Sequence, residues 1–292
     1  MYAPGRDDQS LTIYGAAMES YPILISIPHG GVRIPPEVRG RIALTPRETL
    51  YYSDPYTRVL YNFSDRVSRV VDTPIARAVV DLNRAPTRLP PKYPDGVIKS
   101  LTVDGKNVYR ESMFPDRALI HELIRRYYFP YHFRLRAIQT IQTIDLALDC
   151  HSMLPQTPIM KNNPGKERPL FCIGNGGNEK GEPLYGKTVT CPTEWVQALA
   201  GTFRDEFGKE GPVTINTPYP GGFITVFHHR RFHTPWMQIE MNRSIYEPER
   251  QGEPDLASLE RLRERLFYAI EQFWKDNDIS SQDGNRGSGL PE

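Results

Sequence analysis

Apolar residues along the chain fall into short runs bounded by proline, glycine and charge, and five of these have the length and composition of buried strands. They are Pro22–Pro28 (PILISIP), Ala76–Leu82 (ARAVVDL), Ile144–Cys150 (IDLALDC), Pro169–Ile173 (PLFCI) and Trp236–Met241 (WMQIEM). Between them lie stretches with helical signals. Thr45-Pro46-Arg47-Glu48 has the capping-box spacing with proline at the first helical position, so a helix is predicted to follow. Pro115 to about Ile141 predicts a long helix that Pro130 kinks or breaks, because proline removes a backbone donor and crowds the preceding turn. Thr193–Phe207 predicts another, capped by Thr193 and stopped by Gly208. Leu256, Leu259, Leu262, Leu266, Ile270, Phe273 and Trp274 recur at three- and four-residue spacing, so Asp255–Trp274 packs one helix face on the body. Strands alternating with helices predict the α/β class, with helices layered on a mixed, largely parallel sheet. No repeat or linker divides this pattern, and residues 1–276 read as one domain. Asn277–Glu292 has almost no apolar side chains to offset its ordering entropy and reads as a disordered tail.

Charge and cysteine usage narrow the function classes. The 292 residues include 36 Lys and Arg against 35 Asp and Glu, which excludes a general nucleic-acid binder with its basic excess. No apolar run approaches the roughly 18–20 residues of a membrane span. Met1–Ser10 is polar and carries Asp7 and Asp8, which is not the order of a secretion signal. Cys150, Cys172 and Cys191 are sparse and odd in number, which excludes a disulfide scaffold and fits a reducing compartment. The expectation is a soluble, cytoplasmic protein.

Residues capable of catalysis stand at the C-terminal ends of four predicted strands. His29 follows the first; Asp81, Asn83 and Arg84 end the second; Asp149 and His151 end the third; Glu240, Asn242 and Arg243 end the last. In open α/β sheets the ligand crevice lies along that edge. Each residue also has a plainer reading. A histidine after a strand is often a hydrogen-bonded loop residue, and Asp149 either orients His151 or caps a turn. Strand alternation puts Asp149 and His151 on one face and Cys150 on the other, so Cys150 reads as a small buried hydrophobe. Glu240, between Ile239 and Met241, is costly to bury alone and serves a site or pairs with Arg243. Arg84 is suited to a substrate carboxylate through its planar fork, or to an ion pair with Asp81. The Pro-, Gly- and Asp-rich stretch from Ala85 to Pro115 is long for an idle loop.

Read in order, the motifs resemble a known family. Pro28-His29-Gly30-Gly31, Asp81-Leu82-Asn83-Arg84, Tyr109-Arg110-Glu111 and Pro130-Tyr131-His132 carry the likeness in the first half. Asp149-Cys150-His151-Ser152, Gly221-Gly222-Phe223-Ile224-Thr225 and Ile239-Glu240-Met241-Asn242-Arg243-Ser244-Ile245-Tyr246 carry it in the second. Together they are similar to the N-formylglutamate amidohydrolase family, over Pro22 to Tyr246. The resemblance implies a three-layer α/β/α sandwich like that of zinc carboxypeptidases and aspartoacylases, the zinc-peptidase (phosphorylase/hydrolase-like) architecture. It implies hydrolysis of an N-acyl amino acid, a small-molecule substrate, with N-formyl-L-glutamate the first to try.

The same resemblance assigns roles. His29, Asp54 and His151 become ligands of one divalent ion, zinc in the first instance. Asp54 has its own alternative, a helix N-cap ahead of Pro55. Glu240 becomes the general base. Asn83 and Arg84 hold a substrate carboxylate, with Arg110 and Arg243 as further candidates for a second carboxylate or the oxyanion. Asp149 stands behind His151. The segment around Pro90 to Asn107 departs from the family pattern where substrate walls are expected.

Rival functions keep the scaffold: a zinc carboxypeptidase-like peptidase, another N-acyl amidase, or a non-catalytic binding protein. His228, His229 and His233, beside Arg230 and Arg231, form a separate metal or anion site or an exposed, solvated loop. The loop is the expectation, and these histidines receive no role.

Overall fold

Strands buried on both faces belong to a sheet covered by helices on either side, and that is what these apolar runs build. The computed structural model describes residues 20–247 and 254–277, so the N-terminal Met1–Ser10 and the predicted tail beyond Asn277 lie outside the described residues. In chain order the strands are β1 (Tyr21–Ile27), β2 (Val67–Asp72), β3 (Leu146–Met153), β4 (Phe171–Gly174), β5 (Val213–Ile215) and β6 (Trp236–Asn242). The helices are α1 (Pro46–Tyr51), α2 (Thr57–Leu60), α3 (Arg117–Leu123), α4 (Phe129–Ile141), α5 (Thr193–Phe207), α6 (Phe223–Phe232) and α7 (Leu256–Asp276).

The strands form one sheet in the order β2-β1-β3-β6-β4-β5. Only the β4–β6 pair is antiparallel, so the sheet is mixed and largely parallel, as expected. Alternation along the strands feeds two cores. Ile23, Ile25, Leu148 and Cys150 face one way, against Phe203 and Phe207 of α5 and Leu266 and Phe273 of α7. Leu24 and Ala147 face the other way, in a core with Leu123 of α3, Tyr131 and Leu135 of α4 and Ile224 of α6. The result is the three-layer α/β/α sandwich.

Local signals account for several boundaries. The capping box forms at α1, where the Glu48 N–H donates to Thr45 Oγ1 (3.2 Å) and the Thr45 N–H to Glu48 Oε2 (2.8 Å). At α5 the cap position belongs to Pro192, and Thr193 instead sends its hydroxyl to the Gly181 carbonyl (2.9 Å). Pro130 does not break its helix. A π-helical turn, Ile124–Tyr128, joins α3 to α4, with the Phe129 N–H bonded to the Ile124 carbonyl. The wider turn lets proline sit in the first turn of α4, where its missing donor costs little.

One predicted strand is absent. Ala76–Leu82 forms turns, with the N–H groups of Val79 and Val80 both directed at the Ala76 carbonyl (3.0 and 3.1 Å) and only isolated bridges to Gly31 and Ile98. The run is apolar because it is buried in the second core, and burial selects the same residues in a loop as in a strand. The strand in its place is β2, whose Ser68 and Arg69 interrupt the apolar pattern at the sheet edge.

Candidate active site

The parallel strands β1, β3 and β6 lie side by side, so their C-terminal ends bring distant residues to one edge. His151 and Glu240 are direct partners in the β3–β6 register, and His29 follows β1 by two residues. Asp54 lies on the loop between α1 and α2, where its backbone N–H donates to the His29 carbonyl (2.9 Å). It is not the N-cap of α2, a position held by Tyr56.

His29, Asp54 and His151 are all buried and form a group able to hold a metal ion. His29 Nδ1, His151 Nδ1 and Asp54 Oδ2 make a triangle with edges of 3.1, 3.1 and 3.5 Å. A tetrahedral ion with bonds of about 2.0–2.1 Å needs donor atoms about 3.3–3.4 Å apart, so the triangle fits one face of such a site. The opposite ring atoms are fixed by carboxylates: His29 Nε2 lies 2.8 Å from Asp81 Oδ1, and His151 Nε2 lies 2.9 Å from Asp149 Oδ2. These bonds assign the ring protons to Nε2 and leave both Nδ1 lone pairs facing each other beside a carboxylate oxygen. A shared cation satisfies that arrangement.

Charge agrees with the geometry. Burial opposes ionisation of Asp54, yet the adjoining His151 and His29 rings and the Arg77 guanidinium hold it well below the usual carboxylate range. Asp81 is held down in the same way against its burial, chiefly by Lys99 and His29. Asp54 Oδ1 accepts from Arg77 Nη1 (3.1 Å), and Oδ2 also accepts the Ser152 N–H (3.2 Å). Glu240 behaves differently. It is buried, with Oε1 accepting from Gln238 Nε2 (2.8 Å), and burial pushes its carboxyl up to about 7 against the opposing pull of His151.

Glu240 borders a cavity of about 110 Å³ beside this cluster. Among the described residues, its wall carries the cations Arg77, Arg84, Lys99, Lys161, Arg168 and Arg243 against the carboxylates Asp95 and Glu240. Arg84 reaches the wall but pairs with Asp95 (3.2 Å), not with Asp81. Arg243 is not the partner of Glu240. Its guanidinium donates to the carbonyls of Tyr51 (2.7 Å) and Ser53 and to Ser152 Oγ (3.3 Å), which fixes the loop carrying Asp54 and leaves it poorly placed for a substrate carboxylate. Asn83 is buried, donates to Asp149 Oδ2 (3.3 Å) and accepts the Ile224 N–H (2.9 Å), so it braces Asp149 and the start of α6. Gly222 is required there, since a Cβ would stand 2.2 Å from that amide. Arg110 is exposed, its N–H bonded to the Arg41 carbonyl (2.8 Å), and it is not brought to the cavity.

The loop reading of the histidine cluster is corrected as well. His228 is fully buried in α6 and stacks on His132 of α4, with ring centroids 5.4 Å apart. Sequence reasoning did not single out Arg77, Lys99, Asp95 or Arg168. Arg77 and Asp81 did leave a signal, as opposite charges four apart in an otherwise apolar run.

This fold and these side chains define an α/β/α protein with a hydrolase-type site and a candidate metal centre at the carboxyl edge of its sheet. The chain belongs to the N-formylglutamate amidohydrolase family, whose model matches residues 21–247. It is 26% identical over 234 residues to an N-formylglutamate deformylase of Pseudomonas aeruginosa, covering 77% of this chain and 82% of that one. An N-formylglutamate deformylase of Pseudomonas putida is 25% identical, covering 77% and 81%. The fold resembles the crystal structure of an N-formylglutamate amidohydrolase from Ralstonia eutropha, with a TM-score of 0.67 at 20% identity over 89% of this chain and 96% of the other. A gene product of Agrobacterium tumefaciens shares it with a TM-score of 0.61 at 16% identity, over 88% and 90%.

Proposed function

We propose that this chain is a metal-dependent amidohydrolase that cleaves N-formyl-L-glutamate to formate and L-glutamate. The observation that carries the metal is the His29–Asp54–His151 triangle, whose donor set and spacing suit zinc. A divalent ion held there would supply Lewis acidity and make bound water a nucleophile near neutral pH. Glu240 accepts the proton of the attacking water at the carboxyl oxygen not held by Gln238 and passes it to the leaving amine nitrogen. Asp81 and Asp149 keep the two imidazoles in the tautomer that presents Nδ1. Arg77 and Arg243 hold the Asp54 loop. The cationic wall supports a substrate with two carboxylates, and the named activities of the Pseudomonas relatives support the formyl group.

No helix among the described residues is long and apolar enough to cross a membrane. Cys150, Cys172 and Cys191 are buried and unpaired, which supports the cytoplasm as the compartment.

The test is a panel of formyl-, acetyl- and succinyl-amino acids, assayed with and without a chelator. The expected result is preferred turnover of N-formyl-L-glutamate that a chelator abolishes. Turnover indifferent to the acyl group and amino acid would favour a broader amidase.

A further inference from the structure

Of the cations around the cavity, Arg168 stands apart. Arg84 and Lys161 pair with Asp95, Lys99 with Asp95 and Asp81, and Arg77 with Asp54 and Asp81. Arg243 is taken up by backbone carbonyls. Among the described residues, Arg168 forms no close ion pair, although its charge acts on Glu240 in the same cavity wall. Its Nε is buried without a hydrogen-bond acceptor, and its one side-chain bond is a long one from Nη1 to the Leu154 carbonyl (3.4 Å). A buried guanidinium donor with no acceptor is costly unless a ligand completes it.

Its backbone is tied at both polar groups. The Arg168 N–H donates to the Pro155 carbonyl (2.9 Å), and its carbonyl accepts from Asn242 Nδ2 (3.2 Å). Its guanidinium carbon lies 5.2 Å from the ring centroid of Tyr219, which also lines the cavity. A planar fork held on an aromatic face is prepared for a carboxylate.

Topology says which carboxylate. Strand β4 is antiparallel to β6, with Phe171 opposite Met241, so Arg168, just ahead of β4, lies at the same sheet edge as the end of β6. Across that edge the order is His29 after β1, His151 in β3, Glu240 in β6 and Arg168 before β4. Neighbouring strands are about 4.8 Å apart, which puts Arg168 beyond Glu240 as seen from the ligand triangle. An amide placed at the triangle and Glu240 would extend its far end along the edge toward the Arg168 side of the sheet. We propose that Arg168 binds the side-chain carboxylate of an acidic N-acyl amino acid and so determines specificity for it.

The proposal rests on the amidohydrolase reading, and the test separates the two. Turnover of N-formyl-L-glutamate and its neutral analogue N-formyl-L-glutamine is measured for the native chain, Arg168→Gln and Arg168→Lys. The native chain is expected to favour the glutamate form by about 10²-fold or more in kcat/KM. Arg168→Gln should erase most of that preference, chiefly through KM, with the glutamate form losing far more than the glutamine form. Arg168→Lys should restore part of it. Equal losses on both substrates, no loss on either, or a native chain with no preference would overturn the assignment of Arg168 while leaving deformylation intact. The native preference needs no variant, so a misfolded Arg168→Gln does not spare the proposal. A native chain that turns over no N-formyl amino acid would instead overturn the underlying reading, and this proposal with it.

Discussion

Glu240 sits opposite His151 across two strands, with one carboxyl oxygen tied to Gln238. Burial raises its carboxyl to about 7, close to the working pH that suits a general base. Glu240→Gln keeps the shape and removes the proton acceptor. It should lower kcat by about 10²–10⁴-fold, while elemental analysis shows unchanged metal content; unchanged turnover would remove Glu240 from the base role. Glu240, His29 and His151 were legible in the sequence because each places a polar group in or just after an apolar run. Asp54 came only with the family resemblance, since Ser53 and Pro55 around it read equally well as a helix start. Arg168 gave no signal. Its setting depends on Tyr219 and on the pairing of β4 with β6, contacts that no local pattern encodes.

The Asp81–Arg84 segment carries the carboxylate behind His29, and neighbouring helices hold it. Tyr128 Oη donates to the Arg84 carbonyl (2.8 Å), and His132 Nε2 to the Leu82 carbonyl (3.1 Å). His228 Nε2 then lies 3.1 Å from His132 Nδ1, and Gln139 Nε2 lies 3.3 Å from His228 Nδ1. Each contact has one donor and one acceptor only if both rings are neutral. Burial lowers the pKa of His132 to about 4 and of His228 to about 3. An unfolded histidine titrates near 6.5, so the pair's contribution is intact above that pH and is lost as pH falls toward the folded values. Urea unfolding should show a loss of about 2 kcal/mol per histidine between pH 7 and pH 5. His228→Gln should flatten the pH slope by up to about 1.4 kcal/mol per unit, and an unchanged slope would contradict the neutral pair. At this scale the sequence revealed the sheet's central strands and the long terminal helix. It misjudged Ala76–Leu82 and His228 because apolar composition reports burial, whereas loop or helix is decided by partners far along the chain.

For the molecule as a whole, opposite charges nearly cancel, yet the cavity wall is cationic. A local excess of cations favours small anionic ligands while the whole chain stays near neutral. The α/β/α layering was legible from the alternation of strands and helices, and it sets the chemistry by aligning the ends of β1, β3 and β6. The crowding of cations was not legible, because Arg77, Lys99 and Arg168 come from three separate loops. Titrating zinc into chelator-stripped protein while following N-formyl-L-glutamate hydrolysis decides whether His29, Asp54 and His151 hold one catalytic ion. Activity should rise from near zero and level off at about one equivalent per chain; full activity in the stripped, metal-free protein would rule out a catalytic ion there.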